Sequence, residues 1–389
     1  MSDRLVQYTD RFGTDCVKWD GLEREYGKKD MLSMWVADMD FRCPECVHEA
    51  IRKYMECGAY GYDMLSSRFN KAFAQWEKER HGYEVDLSWL RYSTGVVQSF
   101  YWCINAMTNE GDKILVLPPV YYPFFNAVHE TNRVLVESNL IRHEDTYTMN
   151  YADIEKKIAE NGVKMLLFCS PHNPVGRVWT YEELERLAEI CDRYNVIIVS
   201  DEIHQDFVHR PHKHISMGLI RRERTVVLSA PSKTFNLAGM TTAMAIIPDE
   251  QLRSRWDVLS KRIHISEGNS FGYLAGEAAY LHGAEWVDEL VDLIAENYAV
   301  LKEKLLARLP ELTVAPLEGT YLMWVDFGAY LKQEDLKTFF EDECGIALDY
   351  GEWFRGGAET WVRFNLATSR ELIEKAAELI GAAMDRRGR

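Results

Sequence analysis

Six short runs dominated by apolar residues limit what this chain can become. They lie at 113–117, 133–137, 164–169, 196–200, 225–229 and 242–248, each the length of a strand. A run without polar alternation has no wet face, so such strands must be covered on both sides. Amphipathic segments lie between them, and that alternation predicts an α/β fold with a mostly parallel sheet between helical layers. The clearest helix begins at Thr180, whose hydroxyl and Glu183 make a capping box, with Leu184, Leu187, Ala188 and Cys191 as its inner stripe. At 389 residues the chain exceeds what one core usually serves, so two domains are expected. A helical stretch from about 286 to 309 reads as the passage between them. This gives an N-terminal segment at 1–46, a large domain at 47–285 and a small domain at 286–389, the last mixing strands at 320–327 and 360–366 with a final helix from Ser369.

Three of the runs end in residues with chemistry to offer. In an open α/β sheet, ligands bind outside the carboxyl ends of the strands. The 225–229 run leads into Pro231-Ser232-Lys233. A lysine delivered into an interior pocket is costly to keep charged, and a neutral amine is a nucleophile that forms Schiff bases with carbonyl compounds. The hydroxyls of Ser229 and Ser232 suit a phosphate. Alone, the string also fits a solvated turn. The 196–200 run ends in Asp201-Glu202-Ile203-His204, placing a carboxylate where Lys233 lands; by itself Asp201 also fits a strand-end carboxylate in solvent or a helix cap. The 164–169 run is followed by Ser-Pro-His-Asn-Pro-Val-Gly at 170–176, a turn in which the Asn173 amide can donate to a ring oxygen or simply start a bend.

Those three strings resemble the fold-type I, pyridoxal-phosphate-dependent aminotransferase superfamily, and the resemblance spans nearly the whole chain. Within that superfamily the chain is most similar to the MalY/PatB group of cystathionine β-lyases. The similarity rests on Trp35-Val36-Ala37-Asp38-Met39-Asp40-Phe41, on Phe235-Asn236 and on Gly58-Ala59-Tyr60-Gly61-Tyr62. Thr241 stands where ordinary aminotransferases carry a phosphate-binding arginine, a departure the lyase-like group shares.

The resemblance implies a large domain with a mostly parallel seven-stranded sheet, and a smaller α+β C-terminal domain. It implies that Lys233 carries pyridoxal 5'-phosphate as a Schiff base and later moves the substrate proton. Asp201 then pairs with the ring nitrogen, Asn173 with the phenolic oxygen, and Tyr121 stacks on the ring. Val96 and Val97, after Gly95, match the phosphate loop, where the free N–H groups of a helix start meet an anion. Tyr62 matches a tyrosine reaching the phosphate from the partner of a homodimer. Arg363 matches the clamp on the substrate carboxylate, for which a planar guanidinium is suited. His204 reads either as a partner of Asp201 or as a core histidine, and 38–41 as the loop joining the N-terminal segment to the site. The implied reaction is β-elimination from L-cystathionine or another cysteine S-conjugate to pyruvate, ammonia and a thiol. Transamination by the same residues is the alternative, and a regulatory protein-binding role on the same fold is a second.

Charge and cysteine content narrow the partners. With 45 basic and 61 acidic residues, a formal −16, neither nucleic acid nor an anionic membrane is expected. The N-terminus lacks an apolar signal core, and a cytoplasmic protein is expected. Eight cysteines in so long a chain predict free thiols. Cys43-Pro-Glu-Cys46 with Cys57 nearby has no second pair to complete a metal site, and Pro44 reads instead as a first helical residue.

Overall fold

The structure, a computed structural model, describes residues 4–265 and 267–388. Its central sheet has seven strands: β1 (Leu90–Ser93), β2 (Lys113–Val116), β3 (Val134–Glu137), β4 (Met165–Cys169), β5 (Ile197–Asp201), β6 (Thr225–Ser229) and β7 (Ala243–Ile246). Their spatial order is β1-β7-β6-β5-β4-β2-β3. β7 runs antiparallel to both of its neighbours, and the other adjacent pairs are parallel. Every residue of β4, β5 and β6 is buried. Along β4 the side chains alternate between two cores: Leu166 and Phe168 join Leu184, Leu187 and Cys191 on one face. Met165 and Leu167 join Phe100, Ile104 and Val199 on the other. Each such aliphatic or aromatic side chain taken from water stabilises the fold by about 1.5–3 kcal/mol, and the absence of a polar face explains the unbroken apolar runs.

The helix Tyr181–Arg193 begins with the expected capping box of Thr180 and Glu183. A 25-residue helix, Ala284–Arg308, leads to a second sheet of β8 (Thr313–Val314), β9 (Leu322–Asp326), β10 (Asp349–Tyr350) and β11 (Trp361–Asn365), antiparallel and ordered β8-β9-β11-β10. The N-terminal segment is stitched to this part of the molecule, since Leu32–Ser33 pairs in parallel with Ile346–Ala347.

Some expectations shift. β1 was not legible, because Arg91 and Tyr92 interrupt its apolar character and only its two end residues are buried. The 196–200 strand lies one residue later, so Asp201 is its last paired residue rather than the first of a loop. Pro44 is the cap before Glu45–Met55 rather than its first residue. All eight cysteines are free, and no group of three or more His, Cys, Asp or Glu side chains among the described residues could hold a metal ion. No helix among them is long and apolar enough to cross a membrane.

Candidate active site

The carboxyl ends of β4, β5 and β6 lie side by side. Beyond them is a cavity of about 230 Å³ lined by Asn173, Asp201, Lys233, Tyr121 and His204, together with Thr94–Gln98. Lys233 sits on a single helical turn, Pro231–Thr234, just after β6. Thr234 anchors that turn by donating to the buried Asp206 at 2.7 Å, which also accepts from the Trp76 indole at 3.0 Å. The Lys233 amine donates to the carbonyl of Ala37.

Burial dominates the electrostatics here. It lowers the Lys233 pKa against the pull of Asp38 and Asp201, with Arg363 lowering it further. Burial also pushes the Asp201 carboxyl up to about 7, opposed by the Ile203 N–H, which donates to Oδ1 at 3.1 Å, and by Lys233. Burial thus favours the neutral form of both groups, and a neutral amine is the form that can act as a base. His204 is held well below its usual pKa by burial and by the cations Lys233 and Arg363, so its ring is neutral. Its Nδ1 has no partner, and the ring stands edge-on to Tyr321 at 5.5 Å, so it is a wall of the cavity rather than a hydrogen-bonded support for Asp201. Burial holds the Tyr121 phenol protonated.

One end of the cavity is an anion cup. Gly95 caps the 12-residue helix Val96–Met107, and its carbonyl is tied down by Ser93 Oγ at 3.2 Å and Ser99 Oγ at 2.9 Å. The first free N–H groups of that helix, with Ser232, Thr241 and Thr242, line the same space. Ser229 departs from expectation: its hydroxyl accepts from Gln205 at 3.1 Å in the buried layer behind the cavity and does not line it. Tyr62 is fully exposed and does not line the cavity of its own chain.

Arg363 projects from β11 into the same region, 2% exposed. Its Nη1 donates to Asn173 Oδ1 at 3.0 Å, while Nη2 reaches the Trp35 carbonyl at 3.1 Å and the carboxylate of Asp349. Asp349 was not anticipated, although a buried arginine requires an anion; the two residues face each other across β10 and β11. Burial raises the Asp349 pKa despite the attraction of Arg363. The guanidinium is thus paired with an anion that protonates more readily than usual.

The loop 35–41 also gains a role that its sequence did not disclose, because each of its seven carbonyls is captured. Arg363 takes Trp35, Asn365 takes Val36 and Asp38 at 2.7 and 2.6 Å, and Tyr321 shares Ala37 with Lys233 at 3.0 Å. Asn236 takes Met39 and Phe41 at 3.0 and 2.8 Å, and the Thr9 N–H takes Asp40 at 2.9 Å. The fully buried pair Lys18–Asp40, at 2.7 Å, anchors the loop from behind. Asn236 adopts φ +58°, a region asparagine tolerates better than most residues, and so turns its amide towards the loop.

This donor set suits pyridoxal phosphate: a desolvated amine for its carbonyl, a buried acid for its ring nitrogen, and N–H and hydroxyl groups without a lining arginine for its phosphate. What the fold and site define is an enzyme that works on amino acids through a Schiff base at a strand end. A family model described as aminotransferase class I and II matches residues 29–380, and the chain belongs to that family. Cystathionine beta-lyase PatB of Bacillus subtilis is 35% identical over 96% of this chain and 98% of its own. A PLP-bound putative aminotransferase from Clostridium difficile 630 has a TM-score of 0.95 at 38% identity, covering 98% of this chain and 99% of that one. Cystalysin from Treponema denticola, which contains pyridoxal 5'-phosphate, has a TM-score of 0.95 at 30% identity over 100% of both chains. The architecture is the fold-type I arrangement of pyridoxal-phosphate enzymes.

Proposed function

We propose that this chain is a pyridoxal-phosphate-dependent carbon–sulfur β-lyase acting on L-cystathionine or related cysteine S-conjugates. The observation that carries the proposal is Lys233 held with a depressed pKa just after β6, in one cavity with Asp201 and with Asn173, which accepts from Arg363. The 35% identity with a cystathionine beta-lyase over nearly the full length of both chains supports the reaction type.

Pyridoxal phosphate, when bound, supplies a carbonyl for the substrate amine and a conjugated ring that accepts the electron pair from Cα. The chain does the rest. Arg363, oriented by Asn173 and Asp349, holds the substrate carboxylate and so fixes Cα near Lys233. The Lys233 amine takes the Cα proton, and Asp201 holds negative charge beside the ring nitrogen. The Cβ–S bond then breaks with its electron pair on sulfur, and a proton makes the departing group a thiol. Segments 1–46 and 286–389 form the small unit that carries Arg363, Asn365 and Tyr321 against residues 47–285 and excludes water from this step.

The 38% identical relative called a putative aminotransferase keeps transamination as the second reading. The holoenzyme supplied with cystathionine and no keto acid should release thiol and pyruvate in equal amounts over many turnovers. Product formation that waits for an added keto acid would reverse the assignment.

The exposed Tyr62, flanked by exposed Tyr60 and Met64, supports a homodimer in which Tyr62 reaches the partner's anion cup. Sedimentation should therefore show a dimer at assay concentrations, and an active monomer would overturn this arrangement. The unpaired cysteines favour a cytoplasmic setting.

A further inference from the structure

Lys233 lines the reaction cavity, but what fixes its backbone lies behind that cavity. The three residues that follow it each have a partner from a distant part of the chain. Asn236 holds the 35–41 loop. Phe235 is fully buried and meets the Trp76 ring edge to face at 5.3 Å. Thr234 donates through its hydroxyl to Oδ2 of the buried Asp206 at 2.7 Å. The other oxygen, Oδ1, accepts from Trp76 Nε1 and from His81 Nε2, both at 3.0 Å, and Arg80 Nε stands 3.7 Å away. Trp76, Arg80 and His81 all belong to the C-terminal part of the helix Ser66–His81. Burial works to raise the Asp206 pKa, but His81, Thr234 and Arg80 outweigh it and hold the carboxyl below its usual range. A buried carboxylate held by donors on both oxygens has little freedom to move. A second tie runs beside the first, because Gln205 donates to Glu77 of the same helix and to Ser229, the last residue of β6. One helix therefore grips, from behind, the segments that leave β5 and β6.

We propose that Asp206 is the positioning residue for Lys233: clamped by Trp76 and His81, it holds Thr234 and so aims the neighbouring lysine at the substrate Cα. The inference rests on the proton-transfer role given to Lys233 above. Neither Asp206 nor Thr234 lines the cavity, so the effect passes through the backbone of the turn Pro231–Thr234. A lysine amine rides on a flexible four-carbon stem, and its aim depends on a fixed root. Misplacing a reacting group by about 1 Å costs on the order of 10²-fold in rate.

Thr234→Val keeps the shape of the side chain and removes the donor. In the holoenzyme it should lower kcat for thiol release by about 10–100-fold with KM within about twofold, because aim is lost and binding is not. The visible circular dichroism band of the bound cofactor, which reports how the ring is held, should change with it. Thr234→Ser restores the hydroxyl and should bring kcat back to within about threefold of the parent, and the band with it. His81→Leu loosens Asp206 without touching the turn, and should lower kcat in the same direction by about threefold. Parental kcat and band in Thr234→Val, or losses that Thr234→Ser does not recover, would overturn the proposal. Should Thr234→Val not fold, His81→Leu decides by the same two readings, and parental values there overturn it. A parent that releases no thiol without a keto acid sinks the lyase reading instead. The variants are then ranked by the band and by the rate at which cysteine displaces Lys233 from the cofactor, with the same order expected and parental values again overturning the proposal.

Discussion

Replacing Lys233 by alanine should lower kcat for thiol release by about 10²–10⁴-fold, the usual contribution of a positioned proton-transfer group. Borohydride should no longer fix pyridoxal phosphate to the protein. The amine is suited to this role because desolvation lowers its pKa, against the opposing pull of Asp38 and Asp201, and so favours the neutral form that accepts a proton. The fold should tolerate the change, since Ala37, the acceptor that Lys233 abandons, keeps the Tyr321 hydroxyl at 3.0 Å. Circular dichroism and sedimentation should match the parent. A Lys233→Ala variant within tenfold of parental turnover, or borohydride label on another lysine, would require a different account of the site.

Asp201→Asn should have two opposite effects. The holoenzyme should lose about 10²–10³-fold in kcat, as is typical when one preorganised charge is removed from a dry site. The cofactor-free protein should become more stable, and increasingly so as pH rises. In the folded chain this carboxyl titrates at about 7 instead of 3.8, so at low pH both folded and unfolded chains hold the proton and nothing is lost. Above about pH 4 the unfolded chain ionises freely while the folded chain does not. The penalty grows until the folded group itself ionises near pH 7, reaching about 4 kcal/mol. Asparagine removes that penalty and still accepts from Ile203 N–H, although its own amide needs a new partner, leaving a gain on the order of 2 kcal/mol. Urea unfolding of cofactor-free protein from pH 5 to pH 8 measures this directly. Parallel stability curves for parent and variant would show that Asp201 carries no such strain.

The sequence exposed the middle of the sheet because β4, β5 and β6 are buried on both faces and so carry mostly apolar residues, with the polar ones confined to their ends. Their ends then stood out, and Asn173, Asp201 and Lys233 do line one cavity. Where burial was partial the signal failed: β1 carries Arg91, whose guanidinium pairs with Asp257 at 2.5 Å, and a charge inside a strand hides it. Pairings between distant elements were hidden for another reason. Asp349 and Arg363 are 14 residues apart and meet only because β10 and β11 align them, and Asn236 reaches a loop nearly 200 residues upstream. Ser229 looked like a phosphate ligand because hydroxyl spacing cannot tell the front of a sheet from its back, where Gln205 claims it. Tyr62 is fully exposed and does not line its own chain's cavity, so the role proposed for it requires a second subunit.

Because every carbonyl from Trp35 to Phe41 is engaged, this short strap, whose Ala37 lines the reaction chamber, is also the mortar between its two walls. Tugging it free would strand the amides of Asn236 and Asn365, at about 1–3 kcal/mol for each donor left bare in the interior. Trimming the amino-terminal forty residues would therefore unseat Lys233 and Arg363 together, even though neither is cut.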